Sequence, residues 1–144
     1  MGRSAAVVKA LGGRRALGND VGTVHELADR SRAGLPYPAL ESLQERFGLA
    51  REEVASTLRV PLRTLARRKQ ARRLSPGESD RLVRLARIAA QAADVLGSDE
   101  KAGHWLHRPN RALGGQTPLA LVDTDLGARE VESVLGRIEH GEFS

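Results

Sequence analysis

The chain is 144 residues long, which leaves room for one domain or two small ones. It has no cysteine, which excludes a disulfide framework, a Cys-ligated zinc site and a thiol nucleophile, and its 3% aromatic content argues against a stacking platform for single-stranded nucleic acid. Net charge is +5, no apolar run approaches the roughly 18 residues that cross a membrane, and Lys9, Gly12, Gly13, Arg14 and Arg15 break up any leader-like apolar core, so the expectation is a soluble, cytoplasmic, mostly α-helical protein.

Residues 1–20 read as a tail whose order the pattern leaves open, with Val7–Val8 and Ala16–Leu17 as the short strand candidates. Val24, Leu27 and Ala28 then fit one turn of a first helix, stopped by Gly34. After Pro36 and Pro38, Leu40, Leu43 and Phe47 recur at i, i+3, i+7, and Gly48 is the next stop. Val54, Ala55 and Leu58 share a face of a short helix, Arg59-Val60 turns the chain, and Pro61 fits the first position of another helix whose Leu62 and Leu65 face inward. Two short helices joined by about three residues form a helix-turn-helix pattern. In that motif the second helix lies in the major groove of DNA.

The charge supports this reading. Residues 59–73 carry seven basic groups and no acid, whereas residues 21–58 are net −2 and residues 74–144 net −3. A charge run is commonly just a solvated helix face. Here the run coincides with the second helix of the pattern, and an uncompensated run of this density calls for a polyanionic partner. The candidate DNA-binding residues are Arg59, Arg63, Thr64, Arg67, Arg68, Lys69 and Arg72. Two positions depart from the motif. Ala50 stands where a Ser or Thr cap is expected, and Arg59 where the turn often carries Gly. A positive φ is costly for any other residue, and a turn of another form would relieve Arg59.

Ser75-Pro76-Gly77-Glu78 is a strong helix start, with a capping Ser, a Pro at the first position and a Glu that completes a capping box. Leu82, Leu85, Ala86, Ala89, Ala92, Ala93 and Leu96 form one stripe up to Gly97, a helix of about 21 residues. Arg81, Arg84 and Arg87 line another face. Ser98 opens a helix holding Ala102, Trp105 and Leu106, closed by Pro109-Asn110. Gly114-Gly115 turns, Thr117-Pro118 starts a short helix, and Thr124 or Asp125 caps a last one with Val131, Val134, Leu135 and Ile138 inward and Gly141 as its stop.

Nothing here has the form of an enzyme site. His104 and His107 are the one pair at metal-like spacing, and no third ligand is placed beside them; they read as surface histidines. Gly114-Gly115-Gln116-Thr117 lacks the lysine of a phosphate-binding loop and reads as a turn. No cofactor is expected.

Several separated stretches then agree with one family: Gly34-Leu35-Pro36, Arg63-Thr64-Leu65-Ala66-Arg67-Arg68, Leu74-Ser75-Pro76 through Leu82, Arg84-Leu85-Ala86-Arg87, Trp105-Leu106 with Pro109-Asn110, Leu113-Gly114-Gly115 with Thr117-Pro118-Leu119, and Arg137-Ile138-Glu139-His140-Gly141. From about residue 21 onward the chain resembles the Xre/MbcA/ParS-like antitoxins of type II toxin–antitoxin pairs.

The resemblance implies an all-α protein with a tail (1–20), a helix-turn-helix DNA-binding domain including the long helix (21–97) and a toxin-binding domain (98–144). It implies binding to operator DNA, repression of its own operon, and a RES-type toxin partner that consumes NAD. The toxin-binding residues it implies are Trp105, Pro109, Asn110, Arg111, Arg137, Gly141, Glu142, Phe143 and Ser144, of which Arg137 and Gly141 through Ser144 are the candidates for blocking the toxin's cleft. A terminal carboxylate in a phosphate subsite would suit that role. A homodimer on a palindromic operator and a hetero-oligomer with toxin are expected. The competing reading is a stand-alone helix-turn-helix regulator whose C-terminal domain oligomerises.

Overall fold

The computed structural model describes residues 3–18 and 21–141. Among them every regular element is a helix, and the one extended pairing is an antiparallel bridge between Pro36 and Arg73. In chain order the helices are α1 (Arg3–Ala10), α2 (Gly13–Leu17), α3 (Val24–Ala33), α4 (Tyr37–Phe47), α5 (Arg51–Leu58), α6 (Leu62–Ala71), α7 (Pro76–Leu96), α8 (Asp99–Leu106), α9 (Pro118–Leu121) and α10 (Asp125–Glu139), with a 3-10 turn at Arg111–Leu113 between α8 and α9.

The strand candidates near the amino terminus are helical instead. Val7, Ala10 and Leu11 are spaced i, i+3, i+4, an apolar helix face that the Val7-Val8 pair conceals when read alone. All three are buried, as is Leu17 of α2. Helix α1 packs on α7, and α2 on α4.

Side-chain caps start five of the helices. Thr23, Ser75, Ser98, Thr117 and Thr124 each accept the backbone N–H three residues on, satisfying a donor that the helix leaves orphaned. Ser75 and Glu78 complete the expected capping box. Ala50 has no acceptor to offer α5. The compensation comes from inside the helix, where the Glu53 carboxylate accepts the Ala50 N–H at 2.7 Å.

Two local expectations change at the turn before α6. Pro61 is the residue preceding the helix rather than its first member. Arg59 does not escape to another turn form: its φ of 61° is left-handed. The Arg59 N–H donates to Ser56 O and the Val60 N–H to Ala55 O, the paired bonds of a Schellman closure.

Helix α7 is the axis of the molecule. Leu82, Leu85, Ala86, Ile88, Ala89 and Ala92 are fully buried, and α1, α3, α5, α8 and α10 pack around it. The three alanines let neighbouring backbones approach. Its arginines fasten the surrounding layers: Arg81 donates to Leu58 O at the end of α5, Arg84 to Val122 O and Asp123 O, and Arg87 pairs with Glu132 of α10. One apolar cluster runs from Val7 to Leu135. Gly103 brings α8 so near to α4 that an added Cβ would lie 2.6 Å from Phe47 O.

Candidate nucleic-acid interface and carboxy-terminal surface

Helix α6 is held by a buried leucine and by one of its own arginines. Leu65 is buried and anchors the inner face. Arg68 makes a two-point pair with Glu78, whose side chain is 6% exposed at the start of α7. Burial pushes the Glu78 carboxyl up, but the Arg68 guanidinium and the Ser75 donors outweigh it and hold the group below the ordinary carboxylate range. Past the helix, Arg73 donates to Ala33 O and Gly34 O, the Leu74 N–H to Leu35 O, and the Tyr37 N–H to Arg72 O. Buried Ser79 accepts the Leu35 N–H at 2.7 Å and locks this joint to α7.

The seven candidate DNA-binding residues therefore divide. Arg68 is committed to Glu78. Thr64 is buried and accepts a bond from Arg67. Lys69 lies 3.8 Å from Glu41, an exposed and weak pair. Arg59, Arg63 and Arg72 are exposed and make no side-chain hydrogen bond or ion pair among the described residues. Leu62, expected to face inward, is 43% exposed in the first turn of α6. Its spacing from Leu65 matches a core position, so periodicity carries no signal of its exposure. Arg73 lies outside the candidate set; its bonds to carbonyls some 40 residues away have no local signature.

The carboxy-terminal candidates also divide. Trp105 is half-buried and packs on the core. Asn110 organises its own loop: its side chain accepts the Ala112 N–H, its N–H donates to Gln116 O, and its carbonyl accepts from Leu113 and Gly115. Pro109 and Arg111 are exposed, and Arg137 is half-buried on α10 without a side-chain partner among the described residues. Helix α10 ends at Glu139, His140 caps it, and Gly141 follows with a φ of 73°. Glu142, Phe143 and Ser144 lie outside the described residues. Leu126, 80% exposed in the first turn of α10, is an apolar surface residue with no mark in the sequence pattern.

Among the described residues no group of three or more His, Asp or Glu side chains is arranged to hold a metal. His107 is engaged otherwise. Its Nδ1 lies 2.7 Å from Gly103 O and its Nε2 about 3 Å from the Glu53 carboxylate, joining α8 to α5. Burial lowers the affinity of this ring for a proton, but the two acceptors win and raise its pKa above the ordinary histidine value.

Comparison with known proteins matches two stretches of the chain, which meet within α7. Residues 26–87 match the antitoxin Xre-like helix-turn-helix domain, and residues 91–141 match the antitoxin Xre/MbcA/ParS C-terminal toxin-binding domain. The chain is 35% identical over 125 residues to an antitoxin Xre of Yersinia enterocolitica, covering 85% of this chain and 83% of that protein. It is 35% identical over 80 residues to a Prs ADP-ribosylating antitoxin of Sphingobium, covering about half of each. A solved structure of the M. tuberculosis MbcT–MbcA toxin–antitoxin complex contains a chain similar to this one, with a TM-score of 0.56, 27% identity, and coverage of 86% of this chain and all of that one. A helix-turn-helix unit followed by a toxin-binding unit, matched over most of its length by antitoxins, makes this chain a member of the Xre-type antitoxin family of toxin–antitoxin systems.

Proposed function

We propose that this antitoxin neutralises a RES-type, NAD-consuming toxin in the cytoplasm and represses its own operon by placing α6 in the major groove of operator DNA. The observation that carries the DNA half is that Arg59, Arg63 and Arg72 are exposed and unpaired among the described residues, while other basic residues of the segment are committed within the fold. The toxin half is supported by the toxin-binding family match over residues 91–141 and by the Prs ADP-ribosylating name of one relative. ADP-ribosylation ordinarily draws its ADP-ribose from NAD.

In this reading residues 21–97 carry DNA binding and residues 98–144 carry toxin binding. Trp105, Pro109, Asn110 and Arg111 form one toxin contact. Arg137 and residues 141–144 form another, which blocks the toxin's cleft. A homodimer fits a palindromic operator. The test is co-expression with the toxin gene beside it, with cell survival and cellular NAD as readouts. The full chain should preserve both, and a chain lacking Gly141–Ser144 should preserve neither. Equal protection by the truncated chain would remove the blocking role of that end. A titration of the purified chain with its own upstream DNA tests repression, and binding that does not weaken with salt would count against α6 as the contact.

A further inference from the structure

The described residues contain five left-handed helix C-caps: Gly48, Arg59, Arg72, Gly97 and Gly114. Glycine takes this conformation at no steric cost, and three of the five are glycine. The other two, Arg59 at φ 61° and Arg72 at φ 63°, are the only described non-glycine residues with positive φ. They are not scattered. Arg59 closes α5 immediately before α6, and Arg72 closes α6 itself.

The two closures have the same form. The Val60 N–H donates to Ala55 O and the Arg59 N–H to Ser56 O; the Arg73 N–H donates to Arg68 O and the Arg72 N–H to Lys69 O. The backbone would be served better at both positions by glycine, so whatever arginine adds there comes from its side chain. Neither guanidinium serves the fold: both are exposed and make no hydrogen bond or ion pair among the described residues. Arg68 and Arg73 contrast with them, since Arg68 is spent on Glu78 and Arg73 on two backbone carbonyls.

Helix α6 is ten residues long, about 15 Å. The major groove is about 12 Å wide. A helix of that length set across the groove would bring long side chains at its two ends to the phosphate walls on either side, with Arg63 in its first turn toward the base edges. We propose that Arg59 and Arg72 are a pair of backbone-phosphate clamps bracketing α6, contributing affinity that is independent of sequence. This rests on the reading of α6 as a DNA-binding helix. It adds which arginines grip phosphate and what they do where glycine would fit.

The experiment compares the full chain with the double variant Arg59→Gly/Arg72→Gly. The probes are a duplex of about 30 base pairs from upstream of its own gene and a shuffled duplex of the same composition, titrated over a salt series. The glycine variant should unfold at the same or a higher temperature. It should lose affinity by the same factor on both duplexes, with the log–log salt slope shallower by about 0.9 for each phosphate no longer neutralised. Arg59→Lys/Arg72→Lys should keep that slope. Arg59→Asn/Arg72→Asn, which tolerates left-handed backbone better than most residues, repeats the measurement if the glycine variant is less stable. Unchanged affinity and slope in both neutral variants would overturn the clamp, and so would a loss confined to the upstream duplex, because that marks a base reader. If the unaltered chain binds neither duplex, the DNA-binding reading falls, and the clamp with it.

Discussion

Arg68 reaches ten residues along the chain to hold Glu78 at two points, Nε to Oε1 at 2.8 Å and Nη2 to Oε2 at 3.1 Å. Helix α6 is thus fastened to α7 by one of its own cations. Arg63, about one and a half turns earlier, makes no such bond among the described residues. The two arginines should separate stability from binding. Arg68→Ala leaves a buried carboxylate short of its main partner and should cost about 1.5–3 kcal/mol of stability, read by thermal or denaturant unfolding. Arg63→Ala should leave the unfolding midpoint in place and weaken operator binding by about 1–3 kcal/mol if it reads a base edge.

Acid should loosen the same joint. The Glu78 carboxyl is held below its ordinary range in the folded chain, since the Arg68 and Ser75 hydrogen bonds exceed the cost of burial. A depressed folded pKa contributes stability that is complete above the unfolded value, about 4.3, and is lost as pH falls through the folded one. Unfolding followed from about pH 6 downward should show this loss, and Glu78→Gln should flatten it. A variant with the same acid dependence as the parent would remove Glu78 from the account.

His107 should act with the opposite sign. Burial disfavours its charged form, yet the Glu53 carboxylate and the Gly103 carbonyl raise its pKa on balance. A raised folded pKa contributes stability fully present below the unfolded value, about 6.5, and lost as pH rises through the folded one. Melting temperature should therefore fall between about pH 6 and about pH 8 by a margin that His107→Gln abolishes. The ring's own titration, followed by NMR, should shift downward in Glu53→Gln.

Gly127 lies where α10 begins against the end of α9, and a Cβ there would meet Leu121 O. Backbone cannot rotate away as a side chain can. Gly127→Ala should destabilise by about 1–3 kcal/mol, the range of an overpacked core. Gly136→Ala on the same helix meets nothing within 4 Å and should be neutral or stabilising. Chemical denaturation of the pair checks both, and equal midpoints would refute the close approach.

Much of the fold was legible because helix ends are chemically marked. Ser75 and Glu78 announce the start of α7 and Gly97 its end, while Thr117 and Thr124 mark two later starts. The +7 segment and the turn before it likewise located a candidate DNA surface. Ala50 shows the limit of such marks, since its missing cap is replaced by a carboxylate three residues on.

By itself, then, the sequence determined the helical class, most helix boundaries, the place of the basic segment and the family, because caps, periodicity and motif spacing all act within a few residues. Only the tertiary structure decided which cations are available. The side chains of Arg68, Arg73, Arg81 and Arg84 bond to partners 10 to 40 residues away, whereas those of Arg59, Arg63 and Arg72 have no partner among the described residues. It also decided that Val7, Ala10 and Leu11 belong to the core, since their burial is supplied by α7, a helix that begins only at Pro76. Partners at that separation are chosen by packing and hydrogen-bond geometry, which no local pattern encodes.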